Sequence, residues 1–114
     1  MKRSAYKTSI PTQAAEVIDK YHANGVKCSA SYVLGGEVVG HRAWDEDGQL
    51  NSEYGMCGGI KHGHMYFFHS NGQVMSKETY RNGRLHGVCK QWSYDGRLLV
   101  TWKMVNGTDR KSVV

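Results

Sequence analysis

The sequence predicts a mainly all-β protein, in which repeated β-hairpins form one elongated, twisted antiparallel sheet of about seven or eight strands. Turn-forming glycines recur at a nearly constant spacing along the chain. Between them, apolar residues often fall at every second position, as in a strand with one buried face. The chain also has 14 glycines and one proline in 114 residues. Without a collagen-like period, so many glycines must serve turns.

The glycines form two interleaved sets. The first set is spaced by 23, 24 and 24 residues and consists of Gly25, Gly48, Gly72 and Gly96. The second set lies eleven residues further on in each case and consists of Gly36, Gly59, Gly83 and Gly107. Asn or Asp precedes each glycine of the first set, and Asn-Gly is typical of tight hairpin turns with φ > 0 at both central residues. The two sets predict four hairpin repeats over residues 21–107.

The residues before the repeats have a different pattern. Residues 1–11 are predicted to be a basic, poorly ordered lead-in, and residues 12–20 a short amphipathic α-helix. Thr12 can cap this helix, and one apolar face recurs at helical spacing through Ala14, Val17, Ile18 and Tyr21. Asn24-Gly25 either ends the helix or forms the first hairpin turn. Residues 108–114 are predicted to be a tail or a last edge strand.

Within the repeats, strand alternation predicts which face is buried. Even positions after the first-set glycines carry apolar and aromatic residues such as Tyr54 and Trp102. Odd positions carry polar residues such as Glu53 and Lys77. The pattern therefore predicts that the even positions face the core.

The charge of the chain indicates which classes of partner it could bind, and its cysteines and apolar stretches indicate its cellular compartment. The formal charge of +5 and the pI near 9.2 favour an acidic protein surface, an anionic lipid or nucleic acid as partner, or no electrostatic partner at all. The start lacks the apolar run of a secretory signal, and no stretch approaches a membrane helix, so we expect a cytoplasmic protein. Cys28, Cys57 and Cys89 lack CxxC spacing, which predicts reduced thiols.

One copy of the repeat carries a family resemblance. Tyr80-Arg81-Asn82-Gly83-Arg84-Leu85-His86-Gly87 resembles the Y-x-N-G-x-x-x-G core of the MORN repeat. The aromatic-x-x-Asn/Asp-Gly turns are similar to the MORN-variant repeats of bacterial YwqK-type antitoxin (immunity) proteins. The resemblance implies an interaction scaffold that binds proteins, self-associates or contacts acidic lipids. The first two copies depart from it, with Gly35-Gly36 and Gly58-Gly59 in place of Asn-Gly.

The residues predict neither catalysis nor a cofactor. Asp45, Glu46 and Asp47 are the densest acidic group, but they run directly into Gly48 and read as a hairpin turn. No serine, cysteine or histidine lies in a known nucleophile motif. Histidines that could in principle ligate zinc are His62, His64 and His86. Because two of them occupy equivalent repeat positions, we interpret them as part of the repeat and predict no metal site.

Protein binding is the predicted function. The basic residues are scattered among acidic ones, which argues against nucleic acid, and anionic lipid is a weaker alternative. Aromatic residues and arginine are enriched at interfaces. The candidate contact residues are Trp44, Tyr66, Phe67, Arg84, His86 and Trp92. Each of them could equally belong to the core. For Trp44 and Trp92, a place in the core is the favoured interpretation.

By resemblance, the partner is a toxin or a subunit of a complex, and the protein is an antitoxin or immunity inhibitor. The alternative is a self-associating scaffold, a homo-oligomer that contacts membranes through its basic residues.

Overall fold

The structure, a computed structural model, describes the backbone of residues 6–113 and the side chains of residues 6–108. These residues form a single antiparallel sheet and contain no α-helix. Its strands follow the chain order, and the two-residue β7 pairs with β6 just before β8. The strands are β1 (Ala15–Tyr21), β2 (Lys27–Leu34), β3 (Glu37–Trp44), β4 (Leu50–Cys57), β5 (Ile60–Phe68), β6 (Val74–Arg81), β7 (Arg84–Leu85), β8 (Gly87–Trp92), β9 (Leu98–Val105) and β10 (Thr108–Val113). The predicted all-β hairpin sheet is confirmed.

The predicted helix over residues 12–20 is wrong. Residues 15–21 form β1, which pairs antiparallel with β2. An isolated helix of this length is marginal in water, whereas the edge of β2 offers a complete row of hydrogen-bonding partners. Of the proposed apolar face, Val17 and Tyr21 are exposed, and Ile18 packs on the core opposite Ala30. Asn24-Gly25 is therefore a hairpin turn. The sheet has ten strands, including the two-residue β7, rather than the predicted seven or eight.

The C-terminal residues extend the sheet at its other end. Residues 108–113 form β10, which pairs with β9. Of the two alternatives for this stretch, a tail or an edge strand, the structure shows the strand.

The two glycine sets make two kinds of turn. All eight predicted turn glycines have φ between +82° and +93°. The second-set loops have two residues, both with positive φ, as in Asn82 (+53°) and Asn106 (+50°). This is the type I′ geometry that Asn-Gly predicts. The first-set loops are longer, and their Asn or Asp does not have positive φ. In these, the glycine N–H donates to a carbonyl three residues back, as from Gly72 to His69 O at 2.9 Å.

Residues 6–11, here called the N-terminal segment, cross one face of the sheet. Residues 1–5 of the predicted lead-in lie outside the described residues. The rest of it is packed rather than loose, with Ile10 only 4% exposed. Gly40 and Gly63 make room for the segment: a Cβ on Gly40 would lie 2.4 Å from Ile10 Cγ1, and one on Gly63 would lie 2.8 Å from Ser9 Oγ. We call this side of the sheet the covered face and the other side the open face.

Two clusters of core residues lie on the covered face. Ile10 packs with Ala30 and Tyr32 near the start of the sheet. Tyr66, Val74 and Trp92 form the second cluster, against which Tyr6 of the N-terminal segment packs. The segment thus joins both clusters across the central strands. Residues 6–113 contain no helix of the length and hydropathy needed to cross a bilayer.

Candidate functional site

The open face is the side of the sheet that the N-terminal segment does not cross. Arg42 contacts the N-terminal segment and therefore lies on the covered face. Because successive side chains of a strand point to opposite faces, the neighbouring His41 lies on the open face. After β1, the described residues all belong to the strands or hairpin turns of this sheet. Within the described chain no segment is therefore left to cross the open face.

A row of rings and one lysine runs across the middle of the open face. His41 in β3 and Tyr54 in β4 are directly opposed, with ring centroids 5.2 Å apart. The Lys61 ammonium lies 5.1 Å from the centre of the Tyr54 ring and 5.1 Å from that of Tyr80. Each such cation–π contact is worth about 0.5–1 kcal/mol at an exposed site. These contacts link the side chains of the row to one another without a covering segment. We call His41, Tyr54, Lys61 and Tyr80 the aromatic row.

Burial and a nearby carboxylate both raise the pKa of Tyr80, the second tyrosine of the aromatic row. Burial, followed by the charge of Glu78, raises the pKa of Tyr80 to about 12. The Tyr80 hydroxyl donates to Glu78 Oε1 at 3.2 Å. The hydroxyl is therefore protonated, and it acts as a donor at any physiological pH.

Beside the aromatic row, small side chains leave a shallow depression of about 210 Å³. Its floor is formed by Ser29, Ala43 and Ser52, which are aligned across three strands. Asp19, His41 and Tyr54 stand around it. Its volume is large enough to hold one side chain.

The polar groups at the depression are not arranged for nucleophilic catalysis. Ser31 Oγ donates to Asp19 Oδ2 at 2.7 Å and lies 3.2 Å from His41 Nδ1. A catalytic triad needs the histidine between the serine and the carboxylate. Here the serine is in the middle, so Asp19 cannot orient the imidazole, and the geometry suits binding.

The covered face contains a polar cluster that sequence reasoning missed. Glu53, at an odd position expected to face away from the core, is 1% exposed. Its Oε1 accepts from Arg42 Nε at 2.9 Å and from the Tyr6 hydroxyl at 2.7 Å. Arg42 also donates to Thr8 Oγ1 at 3.3 Å. These bonds attach the N-terminal segment to the sheet.

The ionisation of this cluster follows from its burial. Burial first, and then the hydrogen bond to Glu53, raises the pKa of Tyr6 to about 12. Burial alone would lower the pKa of Arg42, but its hydrogen bonds to Glu53 and Tyr32 leave that pKa raised. The cluster is thus a charged pair capped by a neutral phenol, and it has a structural role.

The structure does not bring the six predicted contact residues together. Tyr66 and Trp92 are buried in the covered-face core, at 0% and 8% exposure, and Trp44 packs at its margin. Phe67 alone is half-buried on the open face, opposite Ser52. Arg84 lies in β7, and His86 follows it. A residue with no exposed surface cannot contact a partner while the N-terminal segment is in place.

The histidines and cysteines show no gathered ligand set. His62 is exposed, whereas His64 and His86 are half-buried. Among the described residues, no three side chains of the His, Cys, Asp or Glu type converge as metal ligands. Cys28, Cys57 and Cys89 form no disulfide among the described residues.

The aromatic row was partly visible in the sequence. Alternation correctly placed Tyr54 and Tyr80 on one face, but the prediction that these two residues face the core is wrong, because residues 6–11 cover the opposite face, where Glu53 is buried. His41 and Lys61 join the row through cross-strand register, which single strands do not encode.

Comparison with known proteins agrees with the repeat. A sequence model of the family described as MORN repeat variant matches residues 61–82. This match covers β5 from its second residue, the hairpin turn at Gly72 and all of β6. No curated protein matches the chain.

Proposed function

We propose that this protein is a non-enzymatic binding module whose open face docks a protein partner. The observation that carries the proposal is the open face itself, with its ordered aromatic row beside a depression of about 210 Å³. Aromatic side chains are the usual anchors of protein interfaces. The MORN repeat variant match supports a binding repeat module of the protein- or membrane-binding type.

More specifically, we propose an antitoxin or immunity-type inhibitor that covers a toxin. This step rests on the resemblance of the aromatic-x-x-Asn/Asp-Gly turns to such proteins. The fold suits it, because a rigid sheet with a preformed face binds without a large ordering cost.

A capture experiment with matched variants tests the docking face. The wild type, an open-face variant (Tyr54→Ala with Phe67→Ala) and a control variant (Tyr94→Ala) serve as baits in an extract of the native cell. Tyr94 is 57% exposed and lies in a hairpin turn away from the row. We expect one specific partner to bind the wild type and the control but not the open-face variant. Retention by all three baits would refute the open face as the docking site.

The inhibitor role has its own test. The captured partner is expressed alone and together with the wild type or the open-face variant. Growth arrest that only the wild type relieves supports an antitoxin, and a harmless partner contradicts it while leaving the docking face intact.

A self-associating scaffold is the second candidate, because the described sheet ends in two unpaired edge strands, β1 and β10. Exposed edges are templates for pairing with another chain. Light scattering over a range of concentrations distinguishes the two: a constant monomer mass opposes the scaffold. Salt-sensitive retention on anionic vesicles would favour its membrane-bound form.

A further inference from the structure

Three lysines are aligned on the covered face beyond the N-terminal segment. Lys77 in β6 and Lys90 in β8 are direct cross-strand partners. Lys90 pairs with Thr101 in β9, and Lys103 lies two residues after Thr101 on the same face. Lys103 is therefore the diagonal neighbour of Lys90. Lys77 also pairs with the core residue Tyr66, which places the row on the covered face. We call Lys77, Lys90 and Lys103 the lysine strip.

Among the residues whose side chains are described, no carboxylate forms an ion pair with the lysine strip. Glu78 follows Lys77 in sequence but faces the other side, where the Tyr80 hydroxyl donates to it. The ion pairs found among the described residues lie elsewhere, namely Lys27–Glu16, Arg42–Glu53 and Arg97–Asp95. Like charges directly opposed across two strands destabilise a sheet. The fold therefore retains a repulsion that contributes nothing to its stability.

The positive potential extends to the neighbouring strand and to the N-terminal segment. Burial, then Lys77 and then Lys7 hold the pKa of His64 below its usual value. Burial and Lys90 likewise lower the pKa of Lys77. Among the described residues, the groups packed around His64 carry no negative charge; they are Lys7, Ser9, Tyr66, Lys77 and Thr79.

We propose that the lysine strip is a docking site for an acidic segment of a partner polypeptide. Directly opposed residues lie about 5 Å apart and diagonal ones about 7–8 Å apart. Carboxylates on one side of an extended chain recur about every 6.8 Å, so successive carboxylates can reach successive lysines. The strip lies on the opposite side from the open face, and this inference is independent of the proposed function.

Two other anionic partners fit the strip less well. Single-stranded nucleic acid binds by stacking bases on exposed aromatic rings. The rings nearest the strip on this face, Tyr66 and Trp92, are 0% and 8% exposed. A membrane surface is broad and flat, whereas the strip is one lysine wide on each strand. We therefore commit to the acidic polypeptide.

Fluorescence anisotropy at low ionic strength tests this assignment. The probe is a short labelled peptide of alternating Glu and Thr, and its Gln-for-Glu counterpart is the peptide control. The strip variant is Lys77→Gln with Lys90→Gln. The control variant, Lys20→Gln with Arg97→Gln, changes the net charge equally at two exposed positions outside the strip. Circular dichroism checks that both variants fold, and removing the Lys77–Lys90 repulsion should not destabilise the strip variant.

The wild type and the control variant should bind the acidic peptide with similar affinity. The strip variant should bind it about tenfold more weakly, the size expected when two charge contacts are lost. Equal weakening in both variants would reduce the effect to net charge and overturn the proposal. The proposal would also be overturned if the wild type did not bind the acidic peptide. It would be overturned as well by a stronger, strip-dependent affinity for an oligonucleotide or for anionic vesicles.

A nuclear magnetic resonance titration of His64 gives a second readout. When acidic peptide neutralises Lys77, the repulsion that disfavours the imidazolium weakens. The pKa of His64 should therefore rise on saturation with the peptide and stay constant with the Gln peptide. An unchanged pKa at saturation would place the peptide away from the strip. The His64→Gln variant assigns the resonance.

Discussion

At the scale of single residues, the packing of the N-terminal segment depends on Gly40. This glycine does not have positive φ, so only the space around it limits substitution. A Cβ there would lie 2.4 Å from Ile10 Cγ1 and 3.0 Å from the backbone oxygen of Tyr54. The Ile10 side chain can shift in part, whereas the backbone oxygen is held in the sheet.

We predict that Gly40→Ala destabilises the protein by about 1–3 kcal/mol through overpacking. Ile10→Ala should cost about 2–5 kcal/mol, because it leaves a cavity under a nearly fully buried side chain. The double variant should cost less than the sum, since the new methyl group occupies the vacated space. Urea denaturation of the four proteins measures the coupling. Strict additivity would show that the two residues do not touch.

The phenol of Tyr6 gives a pH-dependent prediction. Its pKa is raised from 10.0 to about 12, so the folded state holds the proton more tightly than the unfolded state does. The stabilisation is therefore complete below pH 10 and is lost as the pH rises towards 12. Tyr6→Phe lacks the hydrogen bond to Glu53, which is worth about 1.5–3 kcal/mol when one partner is charged.

Unfolding by denaturant at several pH values measures this difference. The wild type should exceed the Tyr6→Phe variant in stability below pH 10, and the gap should narrow above it. Tyr80 titrates in the same range but is present in both proteins, so its contribution cancels. A gap that stays constant up to pH 12 would contradict the role of the Tyr6 proton.

At the scale of the hairpin, the two turn types use asparagine differently. Asn82 has φ of +53° and serves the backbone of a two-residue turn. Asn71 instead uses its side chain: Oδ1 accepts from the Gln73 N–H at 3.0 Å, and Nδ2 donates to Tyr94 O in the next turn along that edge at 2.8 Å. The first of these bonds shapes the turn, and the second links neighbouring hairpins.

The same substitution at the two sites should have opposite effects. Asn82→Gly should be neutral or stabilise by up to about 1 kcal/mol, because glycine adopts positive φ without steric cost. Asn71→Gly should destabilise by about 1–3 kcal/mol, because it removes two hydrogen bonds. Thermal melting of both variants tests this contrast. Similar shifts at the two positions would show that the turns are equivalent.

The hairpins were predictable because their signals are local. Gly72 and Gly83 each mark a turn within a few residues, and the apolar alternation gives the strands between them. Two features depend on distant contacts and were not predictable. Ile18 belongs to a strand because β2 provides its partner, and Glu53 is buried because residues 6–11 return over the sheet. The aromatic row likewise depends on cross-strand register.

At the scale of the whole molecule, the N-terminal segment takes the place of a second layer. A sheet must bury one face against another element, and here a few residues do so. Tyr6 packs edge-on against Tyr66 at 5.0 Å and against Phe68 at 5.2 Å. The covered face is therefore stable only with this segment in place, whereas the open face does not depend on it directly.

Deleting residues 1–10 should show that the covered face depends on the N-terminal segment for its stability and that the open face does not depend on it directly. We expect a loss of at least the roughly 2–5 kcal/mol that truncating Ile10 alone would cost. Tryptophan emission should shift to the red as Trp92 and its neighbours become exposed. Hydrogen exchange should accelerate most in β3, β4 and β5, which lie under the segment, and less in β9.

Deletion of residues 1–5 is the matched control, because it leaves the described segment intact. It should change the emission and the exchange pattern far less than the longer deletion does, because Tyr6 and Ile10 remain in place. If the longer deletion accelerated exchange equally in every strand, the segment would stabilise the sheet only globally, and the covered face would not be a separate local unit. If it changed nothing, the sheet would be stable through its strand ladder and hairpin turns alone, and the contacts of Ile10 and Tyr6 would be dispensable.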